Sequence, residues 1–254
     1  MRETKNSTLA IVSVLFAGLA ILLSQLPPVL FWKPHRTLEL RHADEFFITS
    51  DLGVLTYNVG FEIENTGNRR LTITSLLMEI IGPDGTERQI PVYSFQRWES
   101  AYWLPFTSAR IEPGESWSKL VAFTRPLSPS QEKQRSDIVL AFQNSYWEQY
   151  NKFVSAGDEG TYQFDQGLVR QATDFFSRNF YLEEGEYKVR FFVRTKEAPQ
   201  AFEFHSTFIL YENQVRLLAA EPEQYSEGRA ILFSRVIPGG RTQMIRLVPA
   251  RSAL

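Results

Sequence analysis

Few residues of this sequence are of types that do chemistry, and their spacing is not that of a reaction centre. The three histidines are His35, His42 and His205. None stands in the H-x-H or H-E-x-x-H spacing that turns two imidazoles toward one metal ion. His205 falls between Phe204 and Ser206, on the polar phase of an alternating segment, so a surface position is expected. No G-x-S-x-G elbow presents a serine nucleophile. Gly82-x-x-Gly85 reads as a hairpin turn rather than a phosphate cradle. Asp158, Glu159 and Asp165 gather carboxylates in one stretch, without the spacing of a calcium loop, and read as a solvated connection. Glu183-Glu184-x-Glu186 reads as solvated charge ahead of a strand. The absence of cysteine removes disulfides, thiolate metal sites and cysteine nucleophiles. The expectation is a non-enzymatic protein with no catalytic residue, metal or cofactor. An enzyme with no recognisable motif stands as an alternative.

The most distinctive stretch carries rings instead of titratable groups. Residues 93–106 read YSFQRWESAYWLPF. Trp98, Tyr102 and Trp103 are its candidate contact surface. Indole and phenol rings offer a large apolar area with one polar handle, which suits a protein contact or stacking on a sugar. The same rings could instead plug one end of the fold or pack on the inserted helices, and both readings stand. A second candidate surface lies in residues 229–254, which hold five arginines and no acid. There, Arg241 and Arg246 are the candidate contacts for anionic lipid or a partner. An edge hairpin of residues 230–237 and 242–248 around Pro238-Gly239-Gly240 accounts for the same residues.

Composition narrows the classes further. The chain has 254 residues, with 27 Lys+Arg against 29 Asp+Glu and a formal net charge of −2. That balance argues against general nucleic-acid binding, which needs cationic surface to displace phosphate counterions. A 43% apolar content is too high for intrinsic disorder.

The N-terminus reads as a membrane anchor. Residues 6–32 carry no charge, and residues 9–23 read LAIVSVLFAGLAILL. A helix over residues 8–26 would rise about 28 Å, close to the hydrocarbon thickness of a bilayer. Pro27-Pro28 ends it, and Trp32 with Lys33 form an interfacial ring and a snorkelling cation. A cleaved signal peptide is the rival reading, but Ser24-Gln25-Leu26 offers no small-x-small site. The expected arrangement is a short cytoplasmic tail over residues 1–7 and a transmembrane signal anchor over 8–32. The remaining domain then stands outside the cytoplasm on the inner membrane. The Asn6-Ser7-Thr8 sequon falls on the wrong side for glycosylation.

Beyond the anchor the hydrophobic period is two. Leu55, Tyr57, Val59, Phe61 and Ile63 alternate with polar residues, the mark of a half-buried antiparallel strand. Further strands are expected near Phe46-Phe47-Ile48 and over residues 71–81, 88–95, 117–123, 187–194 and 202–210. Turn signals such as Gly82-Pro83-Asp84-Gly85 separate most of them. Residues 129–182 break the rhythm. Phe142, Tyr146, Tyr150 and Phe153, then Leu168, Ala172, Phe175 and Asn179, recur at helical spacing. Two amphipathic helices are expected there, the first capped by Ser128. The expected fold is mainly β: a β-sandwich over residues 36–212 with a helical insertion, then a C-terminal extension over 213–254.

Two motifs carry a resemblance. Residues 61–73, FEIENTGNRRLTI, and 111–117, IEPGESW, resemble bacterial immunoglobulin-like envelope modules in placing N-x-G between two strands and P-G-[ED] after them. The residues concerned are Asn65, Gly67, Pro113, Gly114 and Glu115. The resemblance spans about residues 36–126 and 184–212 and implies an immunoglobulin-like antiparallel sandwich but no activity. Departures are the missing cysteine pair and the helical insertion. The function expected is a membrane-anchored interaction or scaffold protein of the cell envelope, with a protein partner. A carbohydrate-binding module for cell-wall or surface glycan is the alternative.

The anchor is testable by alkaline carbonate extraction of cell membranes. Full-length chain starting at Met1 is expected in the pellet. Soluble protein lacking its first thirty or so residues would refute the anchor.

Overall fold

The computed structural model describes residues 36–97, 102–156, 162–232 and 243–249. The expected anchor with Trp32 and Lys33 lies outside these residues, as do Trp98 and Arg241. Among the described residues no helix is long and apolar enough to cross a membrane.

Alternating segments form strands where expected, and three more appear. In chain order they are β1 (Leu38–Asp51), β2 (Val54–Asn65), β3 (Leu71–Ile81), β4 (Glu87–Gln96), β5 (Trp103–Pro105), β6 (Ala109–Ile111) and β7 (Ser116–Thr124). Helices α1 (Pro129–Ala156) and α2 (Gln166–Asn179) follow. Next come β8 (Gly185–Thr195), β9 (Phe202–Leu210), α3 (Glu212–Ala219), a 3-10 helix (Glu221–Glu227) and β10 (Gln243–Pro249). The five apolar residues of the β2 alternation are all buried.

The fold is mainly β, and every pairing is antiparallel. The expectation of a mainly β, antiparallel fold holds, but among the described residues the strands form one continuous sheet rather than two separate ones. In detail, one ten-stranded sheet runs β5-β4-β7-β2-β1-β10-β9-β8-β3-β6, and β4 also pairs with β3. Two strands make this a nearly closed barrel by changing neighbours midway. Strand β4 pairs with β3 through Glu87–Pro91, then with β7 through Val92–Gln96. Strand β10 pairs with β1 through Gln243–Arg246, then with β9 through Leu247–Pro249. The second half of the expected C-terminal hairpin is thus a wall of the barrel, with β1 and β9 as its neighbours. Closure of this kind hides backbone edges that an open sheet exposes.

Rings fill the interior. Phe46, Phe61, Phe123, Phe191 and Phe208 meet edge to face or tilted at 4.9 to 6.1 Å between centroids. Tyr187 stacks on Phe208 at 4.8 Å. Its hydroxyl donates to the Glu183 carbonyl and accepts from the Glu183 amide, both at 2.9 Å. The buried Tyr57 and Tyr181 hydroxyls bond each other at 2.9 Å. Burial pushes the pKa of both above the usual tyrosine value.

The helices build a second core at one end. Ser128 and Gln131 cap α1 reciprocally: the Gln131 amide donates to Ser128 Oγ at 3.3 Å, and the Ser128 amide to Gln131 Oε1 at 3.0 Å. Asp165, one of the clustered acids, is the α2 cap and accepts from the Gly167 and Leu168 amides. Between the helices lies the β1–β2 turn. Leu52 and Gly53 both have positive φ, 52° and 78°, as a two-residue type I′ turn requires. Leu52 is fully buried among Ile138, Phe142, Phe175, Phe176 and Tyr225. Its amide donates to the buried Glu221 carboxylate at 2.8 Å, which also accepts from the Tyr225 hydroxyl at 3.0 Å.

At the opposite end the two turn motifs meet. Asn65 is fully buried. Its side chain donates to the Arg69 and Ile111 carbonyls and accepts from the Gly67 amide. Its backbone bonds Glu115 and Gly114. N-x-G and P-G-E are therefore one clasp. On the outer face, Glu79 of β3 is buried beside Arg190 of β8 and Gln89 of β4. Burial opposes its charge. A proton shared with Glu87 and held on the Glu87 side, the Gln89 amide and the Arg190 guanidinium outweigh that and hold its pKa below the usual value.

Three stability predictions follow from these contacts. Gly53→Ala places a methyl 2.5 Å from the Phe176 carbonyl oxygen at a φ of +78° and is expected to cost at least about 2 kcal/mol in urea unfolding. Asn65→Ala strips a buried hub of its bonds and is expected to cost about 1–3 kcal/mol. Glu79 has a lowered folded pKa, so its contribution is present above the unfolded pKa and fades as pH falls through the folded one. The difference in urea midpoint between Glu79→Gln and the parent is therefore expected to be largest at neutral pH and to shrink on acidification below the usual carboxylate range.

Candidate interaction surface

The aromatic stretch separates into an inner and an outer set. Pairing of Gln96 with Trp103, Phe95 with Leu104 and Ser94 with Pro105 folds β5 back on β4 as a ledge. Phe95 and Phe106 turn inward against Trp117, at centroid distances of 6.0 to 6.5 Å within the trio. The other rings stay outside. Tyr102 is 79% exposed, Trp103 42% and Leu104 41%.

A bulge extends the outer set. The β4–β7 register shifts between Val92 and Ser94. Tyr93, at the shift, is 71% exposed, and its carbonyl accepts from the Phe106 amide at 3.3 Å. One extra residue in a strand re-aims a side chain in this way. Tyr93, Tyr102, Trp103 and Leu104 are thus exposed apolar side chains around the β4–β5 edge, with Trp103 on the face of Gln96 and Leu104 on that of Phe95. Among the other candidates, Arg246 lies exposed on β10, opposite Glu45 in the register with β1. His205 is exposed on β9, as its phase requires. Among the described residues no group of three or more His, Cys, Asp or Glu side chains is arranged to hold a metal ion.

Sequence reasoning misses a second apolar surface. On α1, Leu140 is 54% exposed, Trp147 56% and Val154 62%, with Tyr150 beside them at 39%. Tyr150 belongs to the stripe expected to be buried. Only its neighbours Ile138 and Phe142 are buried on that helix. Tyr146 instead stacks on Tyr162 at 4.7 Å, with Trp147 and Tyr150 edge to face at 5.5 Å. The available signal is the seven-residue spacing of Leu140, Trp147 and Val154, which keeps one side of a helix apolar.

Comparison of the chain with protein-family models, curated proteins and solved structures finds no match.

The ledge and its base are separable by mutation. Trp103→Ala is expected to shift the thermal midpoint by under 2 °C, because the indole rests on the surface. Phe106→Ala, which removes an inner ring, is expected to cost about 2–4 kcal/mol in urea unfolding.

Proposed function

We propose that this chain is a single-pass, membrane-held interaction subunit of the cell envelope, and that its head is an elaborated immunoglobulin-like module. Strand order supports the module. The runs β4-β7-β2-β1 and β3-β8-β9 match the D-E-B-A and C-F-G sheets of an immunoglobulin constant domain. In that lettering β8 is strand F. Tyr187 near its start, bonded to the backbone four residues upstream, matches a tyrosine corner. The helices then form an enlarged E–F connection, and β4 and β10 tie the two sheets together.

The observation that carries the functional reading is the ledge of Tyr93, Tyr102, Trp103 and Leu104. Exposed aromatic area on a fixed strand pair offers a partner contact at low entropic cost, because the rings lose little freedom on binding. The anchor adds a second element. Confinement to a membrane raises the effective concentration of neighbouring membrane proteins. Arg36 stands at the Asn65 end of the barrel, since Leu38 pairs with Asn65. A span ending near residue 32 puts that end beside the bilayer, with the helices at the far end.

The test is a photo-crosslinking residue in place of Tyr102 in native membranes. A discrete heavier adduct is expected, lost when Trp103→Ala is added while the thermal midpoint holds. Recovery of monomer alone would count against an interaction subunit. An adduct abolished by soluble cell-wall fragments, with matching quenching of tryptophan fluorescence, would favour the carbohydrate-binding alternative.

A further inference from the structure

We infer that the seam between β1 and β9 is a strand-acceptor site, filled within one chain by β10 and able to take the β10 of a second copy instead. The seam has two faces of unpaired backbone once β10 is set aside: residues 45–48 of β1 and 206–208 of β9. No other strand pairs with those stretches on that side. An extended segment laid there is held by main-chain pairing to β1 along its first half and to β9 along its second, the mode of β-strand addition.

Strand β10 is the lightest member of the ring. It grips β1 through Gln243–Arg246 only and β9 through Leu247–Pro249 only, whereas β2 pairs with β7 continuously from Thr56 to Glu64. Ile245 is its one described side chain in the core. The other walls of that core, with Phe46, Ile48 and Phe208, come from β1 and β9 themselves. The β1–β2 register shifts between His42 and Phe46, just before the docking stretch begins.

Geometry also permits delivery from a neighbour. Ten residues separate Leu232 from Gln243. At about 3.3–3.6 Å per residue such a stretch reaches up to roughly 35 Å. The occupant is fixed by sequence identity: a second copy's Gln243–Pro249 reproduces the pairs Glu45–Arg246, Phe46–Ile245 and Phe47–Met244 at the same depth. Reciprocal exchange closes a two-fold pair with no new interface chemistry, which makes swapping a low-cost route to a dimer.

The chain contains no cysteine, so introduced thiols report the seam without background. Glu45→Cys and Arg246→Cys sit on registered partners, both exposed, at the spacing that a cross-strand disulfide spans. The full-length double variant, diluted in detergent micelles and oxidised, is expected to close within one chain. Failure to close would mean that β10 does not occupy the seam and would overturn the inference. The two single variants, mixed at high concentration, warmed and oxidised, are expected to give a disulfide dimer. Its yield should exceed by tenfold or more that of Glu45→Cys mixed with Glu212→Cys, which lies off the seam. Excess peptide Gln243–Pro249 is expected to suppress it. Internal closure of the double variant without mixed dimer, or equal yields from both mixtures, would overturn exchange. Neither readout depends on the aromatic ledge or on the orientation of the anchor.

Discussion

The buried Leu52 turn is the constraint on which the rest of the head depends. A leucine in the left-handed region is strained, and a leucine at a hairpin tip usually meets water. Here both costs are offset because the tip is not a tip in solvent. Two inserted helices and the 3-10 helix close over it, and a buried carboxylate takes its amide. Remove that insertion and the turn becomes an exposed apolar residue in an unfavoured conformation. Remove the turn and Ile138, Phe142 and Phe175 lose the residue around which they pack. The ion pair between Asp51 and Arg135 ties the base of the turn to α1 at the same place. The helical cap and the barrel are therefore one folding problem.

Strand identity was legible wherever the side of each residue is decided locally. The β2 alternation and the β3 bounds follow from period two and from flanking turns. The Ser128 cap and the paired periodicities of α1 and α2 were legible for the same reason, but its reciprocal partner Gln131 was not. Closure was not. That β4 and β10 each serve two neighbours depends on twist accumulated across the sheet, and no local pattern records it. Strands β5 and β6 are three residues long, too short for a period. Tyr150 shows the limit of a helical stripe: it follows the pattern yet is exposed, whereas Phe153 further along is half-buried against Tyr162.

The candidate surface divides along similar lines. Tyr102 and Trp103 were recognisable from residue type and from their place in a long connection. Tyr93 was not, because its exposure comes from one extra residue in β4. Phe95 and Phe106 look no different from Tyr102 in sequence, yet they face Trp117. Ring type therefore marks a segment as worth inspecting, and the β4–β5 register decides which rings reach solvent. The same holds for α1, where Trp147 lies edge to face on Tyr146 at 5.3 Å yet stays exposed.

The Asn65 clasp bears on how the head responds to pulling. A load entering through Arg36 runs along β1, whose first residues pair with the end of β2 next to Asn65. Strands drawn lengthwise past one another must break many ladder bonds together, whereas strands peeled apart surrender them singly. Because Asn65 fastens the β2 end to the turn before β7, tension at that point spreads into a third strand. The Asn65 end is built as a shear joint, so a pull applied at Arg36 must break the bonds of several strands together.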